Sequence, residues 1–274
     1  MTDIPVISFL SDYGLADEFV GVCHGVMLRR CPGAQLIDIT HAIPRHDIVL
    51  GALTLSGAIQ YLPAAVHLAV VDPEVGSVGE HARRAVALRT ASQQLLVGPD
   101  NGLLAAACER LGGALEAVDI GRSPERLEPV AATFHGRDIF APVAAALAAG
   151  ATLEEVGEPL DVSELRALEL PTAELGPQGL RAHVLHCDHF GNVILDATHE
   201  QLAQIGLRIG QRLLLQKDSE THEARYARAF ADVADGELLL YEDAQRMAAL
   251  AVNRGSAAEL LKVERGTSLL LLSL

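Results

Sequence analysis

Apolar and polar positions alternate along the first two-thirds of the chain with two periods, one typical of strands and one of helices. Short apolar or β-branched runs that end in polar, Gly or Pro residues predict five strands, in PVISFL, QLIDIT, VHLAVVD, QLLVG and LEAVDI. Apolar residues at helical spacing predict helices in EFVGVCHGVMLRRC, HDIVLGALTLSGAIQYL, NGLLAAACERLG and RDIFAPVAAALAAG. Alternating strands and helices favour an α/β fold, so we expect an N-terminal α/β domain with a mostly parallel sheet.

The pattern changes at the segment ELPTAELGPQG, Glu169 to Gly179, whose prolines and glycines are typical of a linker. Beyond it, RAHVLHCDHFGNVILDA, RLLLQ, RYARAFADV, GELLLYED and MAALAVN predict short strands, and SAAELL predicts one late helix. We therefore predict two domains, an α/β domain over residues 1–170 and a smaller β domain over residues 179–274.

Composition narrows the class of protein. Half of the 274 residues are hydrophobic and 21% are charged, which argues against a disordered chain. A net charge of −15 argues against nucleic acid as a partner, because a strongly negative protein repels a polyanion. The apolar runs are too short to cross a bilayer, and no basic region precedes the first of them. Four scattered cysteines without a CxxC pair are typical of reduced, buried thiols, so we expect a soluble, cytoplasmic protein.

Polar residues that follow the apolar runs are the candidates for chemistry, because ligands bind at the carboxyl ends of strands in α/β sheets. Five such clusters contain Asp12, Asp72, Asp100 with Asn101, His135, and Asp188 with Asn192. Asp before Gly or Pro is most often a turn former or a helix cap. Several clusters together, one with a histidine, favour a functional site.

Other site types fit the sequence poorly. It has no phosphate-binding loop of the GxxxxGK[ST] or GxGxxG type, and no GxSxG that would indicate a serine hydrolase. His41 with His46, or the group His183, His186 and His189, could in principle hold a metal ion. Residues spaced by three on a strand point to alternating faces, so we interpret the group His183, His186 and His189 as surface or supporting histidines. We expect neither a metal nor a cofactor.

Taken together, these clusters resemble the S-adenosyl-L-methionine (SAM) hydroxide adenosyltransferases, or SAM hydrolases, which are related to fluorinating and chlorinating enzymes. The resemblance spans nearly the whole chain, in FLSDYGLADEFVGVCHGVM, VVDPEVG, RRAVAL, LVGPDNGLL, TFHGRDIFAPVAA, DHFGNVILD and LAVNRGSAAELL. It implies an N-terminal α/β domain, a smaller C-terminal β domain and a homotrimer. It also implies that the ligand lies between one subunit's N-terminal domain and a neighbour's C-terminal domain.

The resemblance implies that water displaces L-methionine from the 5′ carbon of SAM and that adenosine is the product. The catalytic Asp–Arg–His residues of the family fall on Asp72, on Arg83 with Arg84 as the alternative, and on His135. The other implied roles are contacts to the substrate: Asp12 to the ribose hydroxyls, Asn192 to adenine, Asp188 to the methionine end, Phe230 to the adenine face, and Asn253 within the AVN segment. An ionised carboxylate suits a ribose diol, which presents two donors side by side. Either His135 or Asp72 could take the proton from water.

Three features depart from the family pattern: VGEHA is inserted before the arginine pair, Glu74 replaces a glycine, and Ala244 replaces a serine. They leave alternatives open. A halide-transferring relative carries tyrosine where this chain has Asp72 and His135, so these residues favour water as nucleophile. A non-catalytic SAM or adenosine sensor would fit the departures but not the complete Asp–Arg–His residues. A metal-dependent hydrolase would be sensitive to chelators.

Overall fold

The computed structural model describes residues 4–79 and 82–274. The chain divides into two compact units, with the boundary between Glu169 and Leu170. Among the described residues, no helix is long and apolar enough to cross a membrane.

In the described part of the first unit, seven strands form one sheet in the order β2-β1-β3-β5-β4-β6-β7. The strands are β1 (Val6–Ser11), β2 (Gln35–Thr40), β3 (Val66–Val70), β4 (Ala85–Thr90), β5 (Leu95–Pro99), β6 (Ala114–Asp119) and β7 (Glu158–Leu160). The pairs β1–β2, β1–β3 and β3–β5 are parallel, whereas β4–β5, β4–β6 and β6–β7 are antiparallel. The expectation of a mostly parallel sheet was therefore wrong, and the sheet is mixed.

The reason lies in β4, which the hydrophobic pattern did not distinguish as a strand. Only residues 91–94 separate β4 from β5, and a parallel pair needs a crossover of a dozen or more residues. The two strands must therefore form a hairpin. On its other side β4 pairs with β6, and this pair is antiparallel as well.

Helices cover both faces of this sheet, each face with its own apolar core. One core contains buried residues of α1 (Phe19–Arg30) and α4 (Ala141–Ala148), and the other contains those of α2 (Ile48–Ile59) and α3 (Ala105–Arg110). A short α5 (Leu153–Val156) follows α4. The central strand β3 is buried at every position, as expected for a strand covered on both faces.

One polar side chain lies within that central strand. His67 is fully buried, and its Nε2 contacts Gln94 Oε1 at 2.6 Å. Since an amide oxygen only accepts, Nε2 carries the proton, and Nδ1 accepts from Ser8 Oγ at 2.7 Å on β1. Burial lowers the pKa of His67, so the imidazole is neutral with both nitrogens bonded.

The second unit, all of whose residues 170–274 are described, is a closed β-barrel. The ring runs β9-β10-β14-β13-β12-β11-β15 and closes through the pairing of β15 with β9, while β8 extends from β9. The strands are β8 (Glu174–Gly176), β9 (Gly179–Cys187), β10 (Val193–Thr198), β11 (Arg212–Lys217), β12 (Glu220–Tyr226), β13 (Leu238–Glu242), β14 (Met247–Val252) and β15 (Ser268–Ser273). Two helices accompany them, α6 (His199–Gln204) and α7 (Ala257–Leu261).

Part of the segment that composition marked as a linker is β8. It forms a tight hairpin with β9, in which Gly176 pairs with Gly179 across two residues. Gly179 has a φ of +151°, and an added Cβ would lie 2.2 Å from the Leu271 carbonyl oxygen. This glycine therefore lets the turn approach β15, so its signal reflects close packing rather than a flexible connection.

Candidate active site

Asp72, Arg83 and His135, the three candidate catalytic residues, are joined by hydrogen bonds. Asp72 follows β3, Arg83 precedes β4, and His135 precedes a π-helical turn, Gly136–Phe140, that continues into α4. Arg83 Nε donates to Asp72 Oδ1 at 3.0 Å and Oδ2 at 3.1 Å, and Nη2 also donates to Oδ2. The same Nη2 donates to His135 Nδ1 at 2.8 Å. We call these three residues the Asp–Arg–His set.

The ion pair between Asp72 and Arg83 is shielded from solvent. The side chains of Asp72 and Arg83 are each 5% exposed, and the Arg83 guanidinium lies 5.3 Å from the centre of the Phe140 ring. A buried ion pair is little screened by salt, and removal of one partner leaves an uncompensated charge. The forked guanidinium and the aromatic ring together fix where the carboxylate points.

The direction of the bonds determines the protonation of His135. A guanidinium has no acceptor, so Nδ1 of His135 must accept, and the proton of the neutral imidazole lies on Nε2. Burial, and after it the positive charge of Arg83, lowers the pKa of His135, although Asp72 and Asp138 act in the opposite sense. At neutral pH the ring is therefore neutral and presents Nε2–H as a donor.

The structure adds Tyr13 to this region, a residue that the sequence analysis did not single out. An added Cβ on Gly136 would lie 2.0 Å from the Tyr13 hydroxyl oxygen, so Gly136 allows the phenol to reach the π-helical turn. Burial, with added effects from the charges of Asp12 and Asp72, raises the pKa of Tyr13 well above its ordinary value. The phenol is a neutral hydrogen-bonding group near both carboxylates. Its position inside FLSDYG was the available signal, and π-helical turns often accompany functional sites.

Asp12 directly follows β1, and its carboxylate is oriented by backbone. Oδ2 accepts a hydrogen bond from the His46 amide at 3.0 Å. His46 has a φ of +65°, a conformation uncommon outside glycine, which aims this amide back at the end of β1. Because β1 and β3 are parallel neighbours in which Ser11 pairs with Val70, Asp12 and Asp72 follow the carboxyl ends of adjacent strands.

The residues that follow β5 have structural contacts. Asp100, which is buried, accepts from Arg84 Nε at 3.0 Å and from the Arg166 amide at 2.8 Å. Arg84 also pairs with Glu164. Arg84 is thus occupied by acids other than Asp72, and Arg83 is the arginine that reaches His135. Asn101 bonds the Val71 carbonyl and the Leu103 amide, which are contacts of a structural turn.

Two of the departures from the family pattern, Glu74 and the inserted VGEHA, lie between Asp72 and Arg83. Glu74 forms an ion pair with Arg166 at 3.0 Å. In the inserted VGEHA, residues 78–82, Glu80 and His81 lie outside the described residues.

In the second unit, Asp188 and Asn192 close the turn between β9 and β10. Asp188 Oδ1 accepts from the amides of Phe190 at 2.8 Å and Asn192 at 2.9 Å, and Oδ2 accepts from Asn192 Nδ2 at 2.7 Å. Both predicted contact residues are therefore engaged with each other. Burial, with the charges of Asp188 and Asp243, raises the pKa of Tyr241 to about 12, so this phenol is neutral.

Phe230 lies in the segment between β12 and β13, and Asn253, which follows β14, contacts the same segment. The Phe230 ring is 45% exposed and lies 5.2 Å, centre to centre, from Tyr241. The sequence analysis missed Tyr241, because β13 has the pattern of an ordinary strand. Asn253 Nδ2 donates to the Val233 carbonyl at 2.9 Å.

The structure also assigns contacts to two of the other candidates. His183 pairs with Asp196 at 2.8 Å, which is the supporting role expected for it. Ala244 lies in a turn that Asp243 closes by accepting from the Gln245 and Met247 amides.

Comparison with known proteins places this geometry in a family. The profile of the SAM hydroxide adenosyltransferase N-terminal domain matches residues 7–157, and that of the C-terminal domain matches residues 182–270. A protein of Salinispora tropica named (R)-S-adenosyl-L-methionine hydrolase is 48% identical, over 98% of both chains. A fluorinase of Nocardia brasiliensis is 30% identical over 96% of this chain and 95% of its own. The crystal structure of an uncharacterized conserved protein from Thermotoga maritima, 32% identical, superposes with a TM-score of 0.89 over 97% of this chain and 99% of its own. The chain therefore belongs to the SAM hydroxide adenosyltransferase family.

Proposed function

We propose that this protein hydrolyses (R)-S-adenosyl-L-methionine, with attack of water at the ribose 5′ carbon, to adenosine and L-methionine. The observation that carries the proposal is the hydrogen-bonded Asp–Arg–His set, in which Arg83 bonds both Asp72 and His135. The R configuration at sulfur is the one in the name of the Salinispora tropica relative.

The chemistry needs an oriented water and a place for its proton. A C5′–O bond forms while the C5′–S bond breaks, and the bonding electron pair moves to sulfur, so methionine leaves as a neutral thioether that needs no acid. His135 presents Nε2–H, which can hold the water oxygen but cannot accept its proton. Asp72 is an acceptor, so we assign proton removal to Asp72 and orientation to His135. Arg83 positions both groups.

Asp12 is assigned to the ribose. Its Oδ2 is already held by the His46 amide, which fixes the plane of the carboxylate. Two hydroxyls on adjacent ribose carbons match two carboxylate oxygens, and charge-assisted bonds of this kind are the stronger ones.

We further propose that the protein works as a homotrimer in which a neighbouring subunit supplies Asp188, Asn192, Phe230 and Asn253 to the substrate. The exposed Phe230 ring offers a flat face to adenine, and Tyr241 lies beside it. Light scattering during size-exclusion chromatography tests the trimer. Mixing Asp72→Asn subunits with Phe230→Ala subunits tests the shared site, because some mixed trimers then regain one intact site. Activity that stays at the level of the separate variants would contradict it.

The cytoplasm is the proposed compartment. The four cysteines are all free thiols, three of them buried and Cys187 half-buried. Thiols persist in reducing compartments, where disulfides are rare.

The deciding experiment incubates metal-free protein with each sulfur epimer of SAM, with and without chloride, and separates the nucleosides by chromatography. We expect adenosine and methionine from the R epimer, no 5′-chloro nucleoside, and loss of product with Asp72→Asn. The matched control is Asp100→Asn, a buried aspartate at another strand end that pairs with Arg84 rather than Arg83. A halogenated nucleoside would favour the halide-transferring alternative, and tight binding without turnover would favour a sensor.

A further inference from the structure

A second cluster of polar side chains lies outside the Asp–Arg–His set. It consists of His24 on α1, Asp38 on β2 and His41, which directly follows β2. His24 Nε2 lies 2.8 Å from Asp38 Oδ1, and His41 Nε2 lies 3.1 Å from the same oxygen. One nitrogen or oxygen from each of the three residues lies within 4.8 Å of the others.

One atom of this cluster has no hydrogen bond. The His41 side chain is 2% exposed, and its buried Nε2 faces Asp38 without the geometry of a hydrogen bond. Its Nδ1 lies 2.8 Å from Ser11 Oγ, and that hydroxyl oxygen also accepts from the Tyr13 amide at 3.3 Å. If Nδ1–H donates to Ser11, the lone pair of Nε2 faces a carboxylate oxygen. Two electron-rich atoms in contact repel each other unless a cation lies between them.

We propose that His24, Asp38 and His41 bind a divalent transition-metal ion of the zinc class. Two imidazole nitrogens and one carboxylate oxygen form a donor set that such ions favour. Tetrahedral zinc with bonds of 2.0–2.1 Å separates its ligand atoms by about 3.3 Å, so the two spacings to Asp38 Oδ1 need to grow by only a few tenths of an ångström. The hydrogen bond from His41 Nδ1 to Ser11 is the outer contact that usually orients a metal-binding histidine.

The exposure of the cluster allows entry of an ion. The Asp38 side chain is 42% exposed and that of His24 is 25% exposed, so the fourth coordination position faces solvent. This revises the expectation that the chain holds no metal, and it brings His41 into a different group from the one the sequence suggested.

The proposed ion would brace the loop that carries Asp12. His41 holds this loop twice, through Ser11 Oγ and through its carbonyl oxygen, which accepts from the Gly14 amide at 2.7 Å. None of the three ligands belongs to the Asp–Arg–His set. The inference is therefore independent of the proposed hydrolysis, whose steps need no metal.

The test titrates chelator-stripped, full-length protein with Zn²⁺, with Mg²⁺ as a comparison, and follows binding by calorimetry and thermal unfolding. Co²⁺ substitution gives a visible absorption band that reports ligation directly. The variants are His24→Gln, at a half-buried position, and Asp38→Asn, at an exposed position. The control is His183→Gln, because the His183 side chain is also 25% exposed and also contacts an aspartate at 2.8 Å.

We expect one Zn²⁺ per chain in the unmodified protein and in His183→Gln, with zinc raising the unfolding temperature of both. We expect affinity to fall at least about ten-fold in His24→Gln and in Asp38→Asn. Absence of saturable Zn²⁺ binding would overturn the proposal, and so would binding that survives both variants or is lost equally in the control. In those cases the three side chains form a polar cluster without a metal, in which His24 alone is hydrogen-bonded to Asp38.

Discussion

Substitution of Arg83 by lysine tests whether the fork of the guanidinium, rather than its charge, organises the site. Arg83 reaches Asp72 through Nε and Nη2 and reaches His135 through Nη2. Lysine keeps the positive charge but carries a single compact ammonium group. It cannot reproduce the planar pair of bonds to the carboxylate and the bond to the imidazole together.

The expected loss follows from the bonds that disappear. Lysine forfeits the bond to His135 and one bond to Asp72. Bonds to charged groups contribute about 1.5–3 kcal/mol each, so positioning weakens by about 3–6 kcal/mol. Both side chains are nearly buried, so solvent screens these bonds little. At about 1.36 kcal/mol per ten-fold change in rate, kcat should fall about 10²- to 10⁴-fold.

Arg84→Lys is the control, because the neighbouring arginine bonds Asp100 and Glu164 instead. Adenosine formation should be measured for both variants with the R epimer of SAM, at a temperature where thermal unfolding shows each to be folded. We expect Arg84→Lys to keep kcat within a few-fold of the unmodified protein. Equal losses, or a larger loss in Arg84→Lys, would refute the assignment of Arg83.

Three further predictions concern pH and packing. Because His135 must stay neutral and its pKa is lowered, kcat/KM should fall as pH drops through a value below 6.5, and His135→Gln should lack this limb of the profile. The pKa of buried His67 is also lowered. Below pH 6.5, His67 therefore binds a proton in the unfolded chain but not in the folded chain. The free energy of unfolding should fall by up to about 1.4 kcal/mol for each unit by which the pH drops. Denaturant titrations at several pH values should show that the free energy of unfolding depends less steeply on pH in His67→Gln. An unchanged pH dependence would contradict this. Gly136→Ala should lower stability by about 1–3 kcal/mol, since its Cβ would lie 2.0 Å from the Tyr13 hydroxyl oxygen. Tyr13→Phe should recover part of that loss in a double-mutant cycle, whereas additive losses would contradict the contact.

The sequence predicted the elements whose pattern is local, and it failed where pairing is long-range. Strands β1, β2, β3, β5 and β6 and helices α1–α4 lie in the segments that periodicity indicated. The mixed sheet was missed because it depends on β4, whose direction is set by a four-residue turn rather than by its own composition. Closure of the barrel likewise depends on β15, a continuous apolar run whose period does not distinguish strand from helix.

In the candidate site, too, the sequence identified the residues that lie in local motifs and missed those whose role depends on long-range packing. Asp12, Asp72 and His135 could be found because each follows an apolar run or lies in a motif. The choice between Arg83 and Arg84 could not be made from spacing. The partners of these adjacent side chains depend on where β4 lies in the sheet, which the sequence did not show. Tyr13 could not be identified as part of this region from the sequence, because its position depends on its long-range contact with Gly136, which has no side chain.

The charge balance of the Asp–Arg–His set argues for water over halide as the nucleophile. Asp72 is negative, Arg83 is positive and His135 is neutral, so the set has no net charge, and the guanidinium already donates to both partners. A halide would meet the Asp72 carboxylate in a buried place with little positive charge left to offset it. Water carries no charge, so under the proposed assignment it can offer a proton to Asp72 and accept from His135. An arrangement that would repel an anion therefore supports the proposal that this set orients and deprotonates a neutral nucleophile.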